Sequence, residues 1–203
     1  MAKPVTPATA RGERTRQKLL DAAEEEFGEK GFHSASISNI TRRAGVAQGT
    51  FYIYFSSKEA ILRALVEHMS RELRRSQSEA VRGCNDRIEV ERTGFRQFLR
   101  FALAHKNLYR IVMQSQFVDP DVHQRYYETL LAGYERGIAE AQARGEVRQG
   151  DPRALAWALI GMTYFFGKRY ATWEGEMPEE PAIETVLDFI EAGLRPPSSG
   201  SAP

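Results

Sequence analysis

Apolar positions along this chain recur at helical spacing from Thr15 onward. Leu19, Leu20, Ala23 and Phe27 form the stripe of a first helix, with Asp21, Glu24, Glu25 and Glu26 directed to water. Gly28 and Gly31 weaken its end, and Gly31-Phe32-His33 is its exit turn. Ile37, Ile40, Thr41 and Ala44 make a second stripe, with Ser36 placed to cap it and Gly45 to stop it in a left-handed turn. After Val46 a third helix sets Phe51 and Phe55 on one side by i to i+4 spacing. Its other sides hold Gln48, Gly49, Thr50, Tyr52, Ile53 and Tyr54. Ser56 and Glu59 then have capping-box spacing. They open a long helix that carries Ile61, Leu62, Leu65, Val66, Met69 and Leu73 to about Ser78.

Beyond a polar turn at Arg82 to Glu91, the stripe Phe95, Phe98, Leu99, Ala102 and Leu103 predicts another helix, followed by one over Asn107 to Val118. Asp119-Pro120 and Asp151-Pro152 are helix starts, because proline at the first helical position gives up an N–H that has no partner there. The first opens a helix over Val122 to Arg144. The second opens ALAWALIGMTYFFGKRYATW, apolar nearly all round and so expected to be buried on most sides. Ile183, Val186, Leu187, Ile190 and Leu194 form a narrow stripe on the last helix, which needs a partner. The fold class is all-α: a three-helix head over 15–56, joined by a long helix to a helical domain over 57–195. Residues 1–14 read as a mobile basic arm, and the Pro, Ser and Gly of 196–203 as a disordered tail.

Two short helices around a glycine turn, over Ile37 to Phe55, read as a helix-turn-helix whose second helix enters the DNA major groove. An ordinary helical hairpin is the alternative. Formal net charge is +1 over 203 residues, so DNA affinity must come from local charge. Residues 1–18 supply some, with five basic residues against Glu13 alone. The single Cys84 cannot form an intramolecular disulfide, which fits a reducing cytoplasm. His33, His68, His105 and His123 lack metal-ligand spacing, so neither metal nor cofactor is expected. No apolar run reaches the roughly 18 residues of a membrane span.

LLDAAEEEFGEKGF, then SISNITRRAGVAQGTFYIYF, then SKEAIL resemble, in that order, the N-terminal domain of the TetR family of bacterial transcriptional regulators. The resemblance covers about the first quarter of the chain closely; beyond it only the all-helical layout carries over. It implies that Gln48 meets base edges, where its amide can pair with adenine, and that Gly49 lets the helix approach closely. It also implies that Thr50, Tyr52, Tyr54 and Lys58 contact phosphates, and that Ser36 can do the same. Ala47, Gln48 and Ser56 depart from the serine and two lysines frequent in the family. That shifts the expected contacts toward the tyrosines, Arg42, Arg43 and the arm, with Ser38 a further base-reading position.

The family layout further implies a homodimer through the last two long helices, for which Ala154, Ala158 and Gly161 offer close approach. Ile183, Val186, Leu187 and Ile190 supply the accompanying stripe. A two-fold protein also matches two half-sites about one helical turn apart. Tyr109, Met113, Phe117, Tyr127, Trp157 and Tyr164 are candidates to line an apolar effector pocket, with Arg169 facing an anionic group. Arg169 can equally pair with Glu174 or Glu176. The expected partners are operator DNA, a small apolar, acyl or aromatic effector, and a second copy of the chain. The alternatives are an architectural DNA binder without ligand and a small helical enzyme, the latter without a phosphate loop or nucleophile motif to support it.

Overall fold

The computed structural model describes residues 9–197, and among them every regular element is helical. The helices are α1 Ala10–Ser34, α2 Ile37–Ala44, α3 Gln48–Tyr54, α4 Lys58–Ala80, α5 Arg87–Ala104, α6 Lys106–Val118, α7 Pro120–Ala143, α8 Pro152–Lys168 and α9 Glu180–Leu194. A π-helical turn, Arg169–Glu174, follows α8. The chain forms two compact units, Met1–Arg71 with His105–Tyr126, and Glu72–Ala104 with Tyr127–Pro203. The sequence boundaries at 15–56 and 57–195 divide it differently, because α6 packs along α1 and joins the unit that holds α2 and α3.

In the first unit Leu19, Ala23 and Phe27 of α1, Ile40 of α2, Phe51 of α3, and Ile61 and Leu62 of α4 are fully buried. Each of these side chains larger than alanine stabilises the fold by roughly 1.5–3 kcal/mol relative to exposure. The first helix begins at Ala10 rather than Thr15, because the Thr9 hydroxyl accepts the Gly12 N–H at 3.1 Å and caps it. Residues 10–14 of the expected arm are therefore helix; its first eight residues, like tail positions 198–203, lie outside the described residues. Glu26, expected in water, is buried instead, held by Lys30 at 2.8 Å and the Asn39 amide at 2.9 Å. Gly31 adopts φ 76°, which breaks α1 and turns Phe32 into the core. Gln114 of α6 accepts the Phe32 N–H at 2.8 Å. The cap of α4 is Ser57, not Ser56: its oxygen accepts the Ala60 N–H at 3.2 Å. Its hydroxyl, with a backbone N–H, lowers the pKa of Glu59.

In the second unit Phe95 and Leu99 of α5 are buried, as are Leu159 of α8 and Ile183, Leu187, Ile190 and Leu194 of α9. The α9 stripe thus finds its partners inside the protomer. Arg92 of α5 reaches Asp188 and Glu191, both at 3.1 Å, and Arg96 reaches Glu180 at 2.8 Å; both arginines also bond Glu184. The turn at 82–91, read as polar, ends in a buried ion pair between Arg87 and Glu91, with the guanidinium 5.4 Å from the Tyr134 ring centre. Burial raises the Glu91 carboxyl above its ordinary pKa, and the charge and hydrogen bond of Arg87 only partly oppose this. Both Asp-Pro starts hold: Asp119 accepts the Val122 N–H at 3.1 Å and Asp151 the Arg153 N–H at 2.9 Å. α8 is not buried on most sides, since Ala154, Trp157, Ala158, Gly161 and Phe165 are all exposed.

Candidate nucleic-acid interface

The helix-turn-helix is built from local signals. The Ser36 oxygen accepts the Asn39 N–H at 3.1 Å and starts α2. Gly45, at φ 67°, ends it, and its N–H returns to the Arg42 carbonyl at 3.2 Å. α3 then buries Phe51 and Phe55 at 0% and 4% exposure while Tyr52 and Ile53 stand 53% and 54% exposed. The i to i+4 pair that anchors the helix therefore dictates which residues project outward. Ala47, Gln48 and Gly49 are exposed as well, and Thr50 and Tyr54 are half-buried. An added Cβ on Gly49 would meet nothing within 4 Å. The outward surface is polar, aromatic and carries no cation of its own.

The basic residues expected beside this surface are used differently. Arg43 bonds Glu25 and Glu29 of α1, each at 2.7 Å, with Glu26 at 3.5 Å, so it ties α2 to α1 and is not free for phosphate. Lys58 is engaged within the protein in the same way. Its ammonium donates to the carbonyls of Phe32 at 2.7 Å and Ala35 at 2.8 Å, and sits 4.4 Å from the Phe32 ring centre. It therefore caps the carboxyl end of α1, where free carbonyls and the helix dipole favour a cation. Arg42 is exposed with one nitrogen 2.7 Å from the Asn39 side-chain oxygen. Ser38 is exposed, and Ser36 is occupied as a cap. Exposed Arg11, Arg14 and Lys18 share one face of the early part of α1, and nearby Arg16 lies 5.4 Å over the Phe55 ring.

The effector candidates divide between the units. Tyr109, Met113 and Phe117 belong to the first, where Tyr109 is buried and Phe117 is 81% exposed. Tyr127, Trp157 and Tyr164 belong to the second and come together there. The Tyr127 ring centre is 6.4 Å from Trp157 and 5.8 Å from Tyr164, the latter edge-on. Burial raises the Tyr164 phenol pKa, against the opposing effect of its hydrogen bond with Tyr127. Arg169 does not face this cluster with a free charge: it pairs with Glu174 at 2.6 Å across the π-helical turn. Of the α9 stripe, Ile183, Leu187 and Ile190 are buried within the protomer and Val186 is half-buried. The exposed face of α9 instead carries Phe189, Ala192 and Gly193. On α8 the exposed stripe does hold Ala154, Ala158 and Gly161, and Gly161 has open space around it. Among the described residues no cluster of His, Cys, Asp or Glu could hold a metal, and no helix is long and apolar enough to cross a membrane.

A glycine-ended two-helix turn that presents the outer side of a short second helix, with only helices among the described residues, defines a helix-turn-helix. Residues 19–65 match the family of bacterial regulatory proteins described as tetR. The chain is 33% identical over 182 residues to YvdT, an uncharacterised HTH-type transcriptional regulator of Bacillus subtilis, covering 88% of this chain and 94% of that protein. It belongs to the TetR family of transcriptional regulators. It is also 28% identical over 185 residues to the fatty acid metabolism regulator protein of B. subtilis, covering 87% and 94%. The crystal structure of B. subtilis FadR in complex with stearoyl-CoA shares the fold, with a TM-score of 0.77 at 23% identity over 87% of this chain and 98% of that one.

Proposed function

We propose that this regulator is a repressor that binds palindromic operator DNA as a homodimer and is released by a small apolar effector, with acyl or aromatic compounds the favoured class. The observation that carries the DNA reading is the outward surface of α3, where Gln48, Gly49 and Tyr52 are exposed over a fully buried Phe51. Gln48 reads a base edge, and the hydroxyls of Thr50, Tyr52 and Tyr54 hold phosphates and set register. The dimer reading rests on the exposed Ala154, Ala158 and Gly161 stripe of α8 together with Phe189 of α9, an apolar surface with no partner in the protomer.

The effector reading rests on the Tyr127, Trp157 and Tyr164 cluster and on similarity to a regulator of fatty acid metabolism. An effector weakens operator binding when its complex no longer presents both heads to half-sites about 34–36 Å apart. Selection from random duplexes, followed by anisotropy titration with and without stearoyl-CoA, tests the whole reading. A palindromic consensus bound at least a hundredfold more tightly than scrambled DNA is expected, with affinity falling when the thioester is added. Equal affinity for all duplexes overturns the operator assignment. Operator affinity that is unchanged by stearoyl-CoA and, in a parallel titration, by an aromatic acid overturns the effector class.

A further inference from the structure

α3 exposes a large aliphatic side chain, Ile53, at 54%. Alanine or lysine would suit a solvated helix position better, since β-branched residues lose side-chain freedom there. Ile53 does not share the buried side of Phe51 and Phe55. It lies one turn beyond Gly49, on the same face of the helix, where the backbone is left bare. A hydroxyl-bearing tyrosine at Tyr52 suits a phosphate, but a hydrocarbon does not. Among the edges of the major groove, the C5-methyl of thymine is the group that matches it. The five residues from Gln48 to Ile53 advance about 7.5 Å, which is about two steps between successive bases at about 3.4 Å.

We propose that Ile53 is a specificity-determining residue that packs on a thymine methyl, about two base pairs from the base met by Gln48. This rests on the reading of α3 as the DNA-facing helix. The test uses the selected duplex with each thymine replaced singly by deoxyuridine, which deletes only the methyl, titrated at fixed salt against wild type and Ile53→Ala. Wild type should lose roughly fourfold in affinity at one thymine per half-site, as expected for one buried methyl at about 0.8 kcal/mol. Ile53→Ala should be insensitive there and keep the wild-type response at every other thymine. Its thermal melt should match or exceed that of wild type, because the site is exposed and alanine favours helix.

The same deoxyuridine profile in both proteins overturns the proposal. So does a loss in Ile53→Ala that is equal on selected and scrambled DNA, which would place the side chain on the sugar-phosphate backbone. Selective binding by wild type without any methyl dependence removes this proposal alone. Failure of wild type to prefer any duplex removes both it and the operator reading.

Discussion

Gly49→Ala separates what the free head needs from what DNA needs. Gly49 is the second residue of a seven-residue helix, and a Cβ added there meets no protein atom within 4 Å. Its φ is not in the left-handed region, so alanine enters without strain. Removing a helical glycine should therefore stabilise the protein by about 0.5–1 kcal/mol, through propensity and through a less flexible unfolded chain. For a chain of this size that is a rise in Tm of roughly 1–4 °C. If bases or sugars lie against the bare backbone in the complex, the same methyl overpacks the interface. Overpacking generally costs about 1–3 kcal/mol, or roughly five- to 150-fold in affinity. Calorimetry of the free variant and anisotropy titration of the selected duplex read the two effects independently. Opposite signs, a higher melt with weaker binding, are the expected result. An alanine variant that melts higher and binds as tightly as wild type would show that nothing approaches Gly49, and a lower melt would show that the head itself requires the glycine.

Lys58→Met keeps the stem over Phe32 but removes the bonds to the Phe32 and Ala35 carbonyls, so it should destabilise the protein by about 1.5–3 kcal/mol. The slope of log affinity against log salt should stay at the wild-type value; a decrease of about 1.8, about 0.9 for each head of the dimer, would mean that the ammonium reaches a phosphate after all. Burial pushes the Glu26 carboxyl upward, but hydrogen bonds from Lys30 and Asn39 and the charges of Lys30 and Arg43 bring it below its ordinary pKa. Its contribution is then fully present above the unfolded value of about 4.3 and disappears as pH falls through the lower folded value. Glu26→Gln should accordingly cost about 2 kcal/mol near neutral pH and progressively less below roughly pH 4; urea titrations giving the same cost at both ends would contradict that origin. Phe189→Glu, on the exposed face of α9, should yield a folded monomer by sedimentation velocity. Leu187→Ala, fully buried in the protomer, should cost about 2–5 kcal/mol in stability; dissociation by the alanine but not by the glutamate would reverse the assignment of faces.

The head was legible because its determinants are local. Ser36, Gly45 and the Phe51 and Phe55 pair each act within a few residues, so spacing alone identifies the cap, the turn and the buried side. The functions of its cations were not. Arg43 meets glutamates 14 and 18 residues away, and Lys58 meets carbonyls 26 and 23 residues away. A basic residue near a DNA-facing helix looks the same in sequence whether it neutralises phosphate or closes the end of another helix. One signal was available for Arg43: Glu25, Glu26 and Glu29 crowd one stretch of α1, and that much negative charge favours a cation nearby. For Arg169 the alternative pairing with Glu174 was open from the sequence, and the π-helical turn that brings the two within 2.6 Å decided it.

α9 shows why an amphipathic stripe identifies a buried face without saying what buries it. Ile183, Leu187, Ile190 and Leu194 could have faced a second subunit, and Phe189 could have faced the core; hydrophobicity alone ranks both faces as candidates. The rotation of the helix agrees with its charge pattern. Glu180, Glu184, Asp188 and Glu191 fall along one side of α9 and bond Arg92 and Arg96 of α5. Once that side is held against α5, the neighbouring stripe turns inward and Phe189 turns out. Partly exposed ion pairs of this kind contribute little to stability individually, so the network accompanies a rotation that burial of four aliphatic side chains in the protomer, against one phenylalanine, favours by roughly several kcal/mol. Replacing Arg92 and Arg96 together by glutamine should therefore leave the rotation of α9 and the proposed dimer intact; a monomer in sedimentation velocity would show that charge, not burial, holds that face.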